Sequence, residues 1–262
     1  AALTRLLGVA AFRKTPRAAP AIAEHLAATA PTVRTAAFQA LTELATDKQI
    51  PALVAAFCKA VDPQERRAAE KALMACARRE PDATTAAILP LFAGADAERR
   101  SSLLQATGLA GTPAGLELIQ RAVDDSERAV ADDAVRVLAN WKEKTAAPKL
   151  LQLAKTYPNT SLRVIALRGY IRLIDQEQDQ AGRATMLREA SALATRTQEK
   201  ALVAGAWRTV PTPEAVAALT PMLDDPALKT EALKSLKVIA LHTPVDVPDK
   251  APGSLLTPLT FV

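Results

Sequence analysis

Residues 62–73 read DPQERRAAEKAL, and the fold turns on how this stretch is understood. Asp62 followed by Pro63 has the form of a helix start, a side-chain acceptor for free N–H groups and then a residue with no N–H to lose. Arg66, Ala69 and Leu73 lie at positions 0, +3 and +7, so on a helix they share one face. A cation at the head of an apolar stripe is unexpected there, because the helix dipole disfavours positive charge in a first turn.

The stretch has six relatives in the chain. With Arg66 as position 0, matching octets begin at Arg34, Arg66, Arg100, Ala131, Arg163, Lys200 and Lys229, at spacings of 32, 34, 31, 32, 37 and 29 residues. Position +6 is small in six of the seven (Ala40, Ala72, Ala106, Gly169, Ala206, Ser235), with Val137 the exception. Position +7 is large and apolar in six (Leu41, Leu73, Leu138, Tyr170, Trp207, Leu236), with Thr107 the exception. Position −4 holds Asp62, Asp96, Asn159 and Asp225, all good N-caps, and Glu127 in the fourth copy. Pro63 and Pro226 then fall at the expected first helical position, and Asp62 with Glu65 forms a capping-box-like pair. Upstream of the octets lie further apolar stretches such as IPALVAAF (50–57) and GLELIQRAV (115–123). Each unit is therefore expected to be a helix, a tight turn and a second helix.

Composition agrees with an all-α chain. Of 262 residues, 49 % are apolar but only 3 % aromatic, so Ala, Leu and Val supply the core. Glycine is scarce, with 9 residues, and no sustained alternation of the kind strands need is present. Eighteen prolines suit many short helices that begin at Pro. No apolar run is long enough to span a membrane. The first residues carry no basic segment followed by an apolar one, so no signal peptide is visible. The chain opens without Met inside an apparent helix, which suggests a preceding unit. A formal charge of +5, from 33 basic and 28 acidic residues, permits an acidic partner without demanding nucleic acid. Cys58 and Cys76 sit on different expected helices, with no CxxC spacing and no nearby His, and read as free thiols acting as small hydrophobes.

Helix pairs with this Asp/Pro, Arg, small and large pattern in the second helix resemble HEAT repeats, particularly the short bacterial kind related to phycobilisome lyases. The resemblance spans about residues 13–242 and is strongest in PMLDDPALKTEALKSL (221–236). It implies a right-handed α-solenoid of about seven antiparallel helix pairs, each burying its face against its neighbours. The expected units are 13–45, 46–79, 80–110, 111–144, 145–178, 179–210 and 211–242. Residues 1–12 would be the remnant of a preceding repeat, and 243–262, with four prolines, a non-helical tail or linker. The family typically pairs an acid in the inter-helix turn with an Arg of the second helix. By that likeness Arg34, Arg66, Arg100, Arg163, Lys200 and Lys229 form an inter-repeat ladder, with turn acids Asp62, Asp96, Asp125 and Asp225 able to receive it.

Residues suited to chemistry are few. No Walker loop, GxSxG or HExxH is present, and His25 and His242 lie at opposite ends of the array. No catalytic group, cofactor or metal is expected. Position +5 points away from the apolar seam, and Gln39, Lys71, Gln105, Arg136, Arg168 and Lys234 would form a polar, mostly basic stripe there. In HEAT-like solenoids the second helices line the concave face. The stripe would thus meet an acidic protein or peptide, or neighbouring domains of a longer chain. The expected function is a non-enzymatic interaction scaffold. Two alternatives carry low weight: Asp132 and Asp133 near Trp141 and Arg136 are similar to the residue types of HEAT-like alkylpurine DNA glycosylases, and the repeat type matches bilin lyases. Nucleic acid is not the expected partner.

Overall fold

A computed structural model describes residues 2–13 and 15–242; the expected Pro-rich tail, 243–262, lies outside the described residues. Among the described residues there is no strand. A first helix, α1 (Ala2–Phe12), is followed by seven pairs. They are α2 (Ala19–Glu24) with α3 (Pro31–Leu44), α4 (Ile50–Phe57) with α5 (Pro63–Arg79), and α6 (Pro81–Ile88) with α7 (Ala97–Ala110). Then come α8 (Pro113–Ala122) with α9 (Arg128–Ala139) and α10 (Ala147–Thr156) with α11 (Thr160–Leu173). The last two are α12 (Gln180–Leu193) with α13 (Thr197–Trp207) and α14 (Pro213–Leu219) with α15 (Lys229–His242).

Proline and short polar side chains set the boundaries. Eight of these helices carry Pro in their first two positions, where a missing N–H leaves no bond unmade. Asp62 accepts the backbone N–H groups of Gln64 and Glu65 at 2.9 and 3.0 Å, and Asp96 and Asn159 cap α7 and α11 likewise. α7 ends at Gly111, whose φ of +65° is a conformation that favours glycine. The expected Pro226 start is corrected: residues 226–228 form a turn, and α15 begins at Lys229. Asp225 still accepts from Ala227 N–H at 2.9 Å, but as a turn rather than as the N-cap of α15.

The seam is tightest at position +3. Ala37, Ala69, Leu103, Ala134, Ala166, Val203 and Ala232 are all fully buried. Leu41, Leu73, Leu138, Tyr170 and Trp207, at +7, are buried as well. With these short side chains α1 packs on α3, and the second helices α3, α5, α7, α9, α11, α13 and α15 pack each on the next without a break. Of the first helices only α4 and α6 pack closely on each other. The second helices thus form the closer-packed of the two layers.

Both departures from the repeat are matched by a neighbour. Thr107 stands fully buried in a +7 slot; its hydroxyl donates to Leu103 C=O at 2.8 Å, so no polar group is stranded. Its methyl lies 2.7 Å from where a Cβ on Gly115 would be, so Gly115 makes the room. Val137, the one large residue at +6, places Cγ1 only 2.4 Å from a Cβ built on Gly108 of α7. Gly169 serves a different end: a Cβ there would meet the Ala139 backbone oxygen at 2.7 Å, which fixes how closely α9 and α11 approach.

The Gly108–Val137 pair makes a coupled prediction. Gly108→Ala should cost about 1 kcal/mol net, an overpacking penalty of about 1–3 partly offset by about 1 of helix propensity. Adding Val137→Ala should recover most of that loss, so that the double variant in urea unfolding is more stable than the sum of the single effects. Additivity within about 0.5 kcal/mol would show that the two positions are not coupled.

Candidate functional site

The second-helix layer presents two sets of charged side chains, one between units and one on its free face. Among the position-zero cations, Arg34 makes the fullest set of bonds. Its Nε and Nη2 donate to the two carboxylate oxygens of Glu65, both at 2.7 Å, and Nη1 donates to the carbonyls of Ala28 and Thr29. The bond with Glu65 holds the Arg34 guanidinium above its ordinary pKa. Arg66 pairs with Glu98 and Arg100 with Asp125. Arg163 donates through Nε to the Tyr157 carbonyl at 2.6 Å. Lys200 and Lys229 are exposed, and their side chains bond to no group among the described residues.

The acids differ from expectation. Asp62 and Asp96 are taken by the N–H groups of their own helices, so the first-turn acids Glu65 and Glu98 receive the neighbouring arginines; of the turn acids only Asp125 does so. The capping-box-like role of Glu65 is corrected accordingly. Three further arginines, missed in the sequence, tie units together through carbonyls. Arg79 donates to the Thr42 and Ala45 oxygens at the end of α3, and Arg172 to those of Ala139 and Trp141 at the end of α9. Arg99 reaches the Ala60 oxygen. Basic residues in the last turns of α5 and α11 are the signal that could have revealed the first two.

At position +5, Gln39, Lys71, Gln105, Arg136, Arg168 and Lys234 are all exposed. Their charges are not equivalent. Arg136 is paired with Asp133 at 2.7 Å and Lys234 with Glu231 at 3.5 Å. Lys71 bonds to no group among the described residues, and Arg168 bonds only to the neutral Gln198, at 2.9 Å. Lys71 and Arg168 are therefore the stripe cations with no carboxylate of their own.

The fourth unit, with Ala131 at position 0, uses Asp132 instead. Asp132 accepts from Tyr157 Oη at 2.7 Å and pairs with Arg128 at 2.8 Å, while Arg128 also lies 4.7 Å from the centre of the Tyr157 ring. Burial first, and then this bond, push the Tyr157 hydroxyl up to about 12. Trp141 is buried in the seam, so Asp133, Arg136 and the indole do not meet at an open surface. Trp207, at +7, donates to Ser191 Oγ at 3.3 Å, and Tyr170 to Glu189 at 2.7 Å. Cys58 is half-buried and Cys76 buried; both are free, and burial raises the Cys76 thiol to about 11. Among the described residues no cluster of His, Cys, Asp and Glu is placed to hold a metal ion, and no helix is long and apolar enough to cross a membrane.

No protein-family model matches the chain, and no curated protein matches it. An engineered protein of known structure aligns over 91 % of this chain and 74 % of its own length, at 18 % identity and a TM-score of 0.48. Human deoxyhypusine hydroxylase, in complex with glycerol, aligns over 88 % of this chain and 99 % of its own, at 14 % identity and a TM-score of 0.42. At these identities and TM-scores neither likeness gives the chain a family or an activity.

Two outcomes follow from the charges and thiols. Arg34→Ala leaves the buried Glu65 carboxylate unpaired and should destabilise the array by about 3 kcal/mol, whereas Lys229→Ala should change it by under about 0.5 kcal/mol. Denaturant unfolding of the two variants measures this, and equal effects would remove the ladder's energetic weight. At pH 8 the native protein should react with a thiol reagent at Cys58 alone, with Cys76 reacting only on unfolding. Mass spectrometry of the modified peptides reports which site is labelled.

Proposed function

We propose that the chain is a HEAT-like repeat scaffold without catalytic activity, each helix pair being one repeat, and that it binds a protein or peptide along the free face of the second helices. The observation that carries this reading is the line of exposed +5 residues, Gln39 to Lys234, on a layer of helices whose +3 residues are all buried. A rigid layer presents such side chains at fixed separations, so affinity is gathered from several units at little conformational cost. The mild positive charge of the line, concentrated at Lys71 and Arg168, suits an acidic surface on the partner.

The test is site-specific photocross-linking in the cells that make the protein. A photoreactive residue at Gln39 or Gln105, both neutral and exposed, should give the same discrete protein adduct from either site. One at Gln152, an exposed residue of α10 in the other layer, should give none. Adducts that are absent, or identical from all three positions, would overturn the reading. Binding of duplex DNA with an affinity that falls steeply with salt would replace it by a nucleic-acid function.

A further inference from the structure

The free face of the second helices is not uniform. Between α11 and α13 it opens into a groove of about 810 Å³, within the range of ligand-binding clefts. The opening has a local cause. Unit six carries Gly205 at position +5, where all six other units carry Gln, Lys or Arg, and its neighbours Ala201 and Ala206 are also small. A Cβ on Gly205 would come within 3.1 Å of the Glu231 carboxylate, which lies against the glycine, and its nearest neighbours are side-chain rather than backbone atoms.

The lining combines apolar surface with uncommitted cations. Leu202 is 46 % exposed, on the wall facing Ile171 of α11. Arg168 stands on one side with only Gln198 as a partner, and Arg208 on the other makes no bond among the described residues. Arg172, also in the lining, is committed to the carbonyls closing α9. The acids present are Asp175 on the rim and Glu231, and Glu231 is already paired with Lys234. Two guanidinium groups without a carboxylate of their own, beside an exposed leucine in an open groove, complement a carboxylate next to an aliphatic side chain.

We propose that this groove is the anchor point for an acidic, leucine-bearing peptide segment of a partner protein. An aliphatic side chain packs against Leu202 and Ile171, and flanking carboxylates meet Arg168 and Arg208. The inference rests on the binding role proposed above and narrows it from the whole stripe to one place.

The probe is a short labelled peptide of leucine and glutamate, with a leucine and lysine peptide as its counterpart, titrated by fluorescence anisotropy. Wild type should bind the acidic peptide in preference to the basic one. Arg168→Glu should weaken binding by about tenfold, equivalent to about 1.4 kcal/mol. Gly205→Gln, which installs in the groove the residue that units one and three carry on an exposed helix face, should do the same. Lys71→Glu, at the far end of the stripe, should change binding by less than about twofold. Circular dichroism melts of the variants separate lost binding from lost structure, and Arg168→Glu, at an exposed position, keeps the test valid if Gly205→Gln does not fold. No binding by wild type, no preference for the acidic peptide, or an unaffected Gly205→Gln protein would overturn the anchor. Equal losses in Lys71→Glu and Arg168→Glu would overturn the anchor and leave the scaffold reading standing. Cross-links absent from Gln39 and Gln105 would remove the scaffold reading itself.

Discussion

The array depends on one steric constraint, the close approach of successive second helices at position +3. Five of the seven residues there are alanine, and all seven are fully buried. Alanine contributes little hydrophobic area of its own, but it lets helix backbones come together while larger residues at +7 fill the space behind them. Once that spacing is set, the first helices pack on the other side of the seam, and the +5 side chains of the second helices are left exposed on the free face. The two departures from the pattern each have a glycine beside them, Gly108 against Val137 and Gly115 against Thr107.

Polar contacts between units reinforce this packing unevenly. In the first half, Arg34, Arg66, Arg79, Arg99 and Arg100 all bond across to another unit or to the turn that leads into one. In the second half Arg163 and Arg172 bond to backbone carbonyls, while Lys200 and Lys229 make no such bond among the described residues. A repeat array is held by nearest-neighbour terms, so its local stability follows the strength of each junction. The groove opens at the α11–α13 junction, where the ladder has thinned. Units five and six are held instead by Tyr170 with Glu189 and by Arg168 with Gln198, so the cleft lies beside contacts outside the ladder.

How far the sequence foretold this can be judged residue by residue. The helix pairs and the seam were readable, because a core face repeating in seven copies leaves a pattern that no single copy shows. The acid that meets Arg34 was not readable, because Asp62 and Glu65 are both near enough. Asp62 is captured by backbone N–H groups at its own helix start, and that geometry leaves Glu65 free to turn toward the neighbour. The Gly108–Val137 and Gly115–Thr107 matches were hidden for another reason, since they depend on distances between helices that spacing along the chain does not encode. On the +5 face, sequence named the positions but not which cations keep their charge. Asp133 and Glu231, three residues before Arg136 and Lys234, were the available signal.

The two stripe cations without a carboxylate also limit what can be bound. Lys71 lies on α5 and Arg168 on α11, three helix steps apart along the layer of second helices. At about 8–10 Å per packed helix pair, that separates the charges by about 25–30 Å. A small ligand cannot neutralise both, and a charge held by one gains little from the other across several screening lengths. A partner that uses the whole face must therefore be a chain or surface of comparable length. The stacking constraint that builds the array thus also sets the size of what it can hold, because the helix spacing fixed at position +3 is the spacing at which the outward residues are displayed.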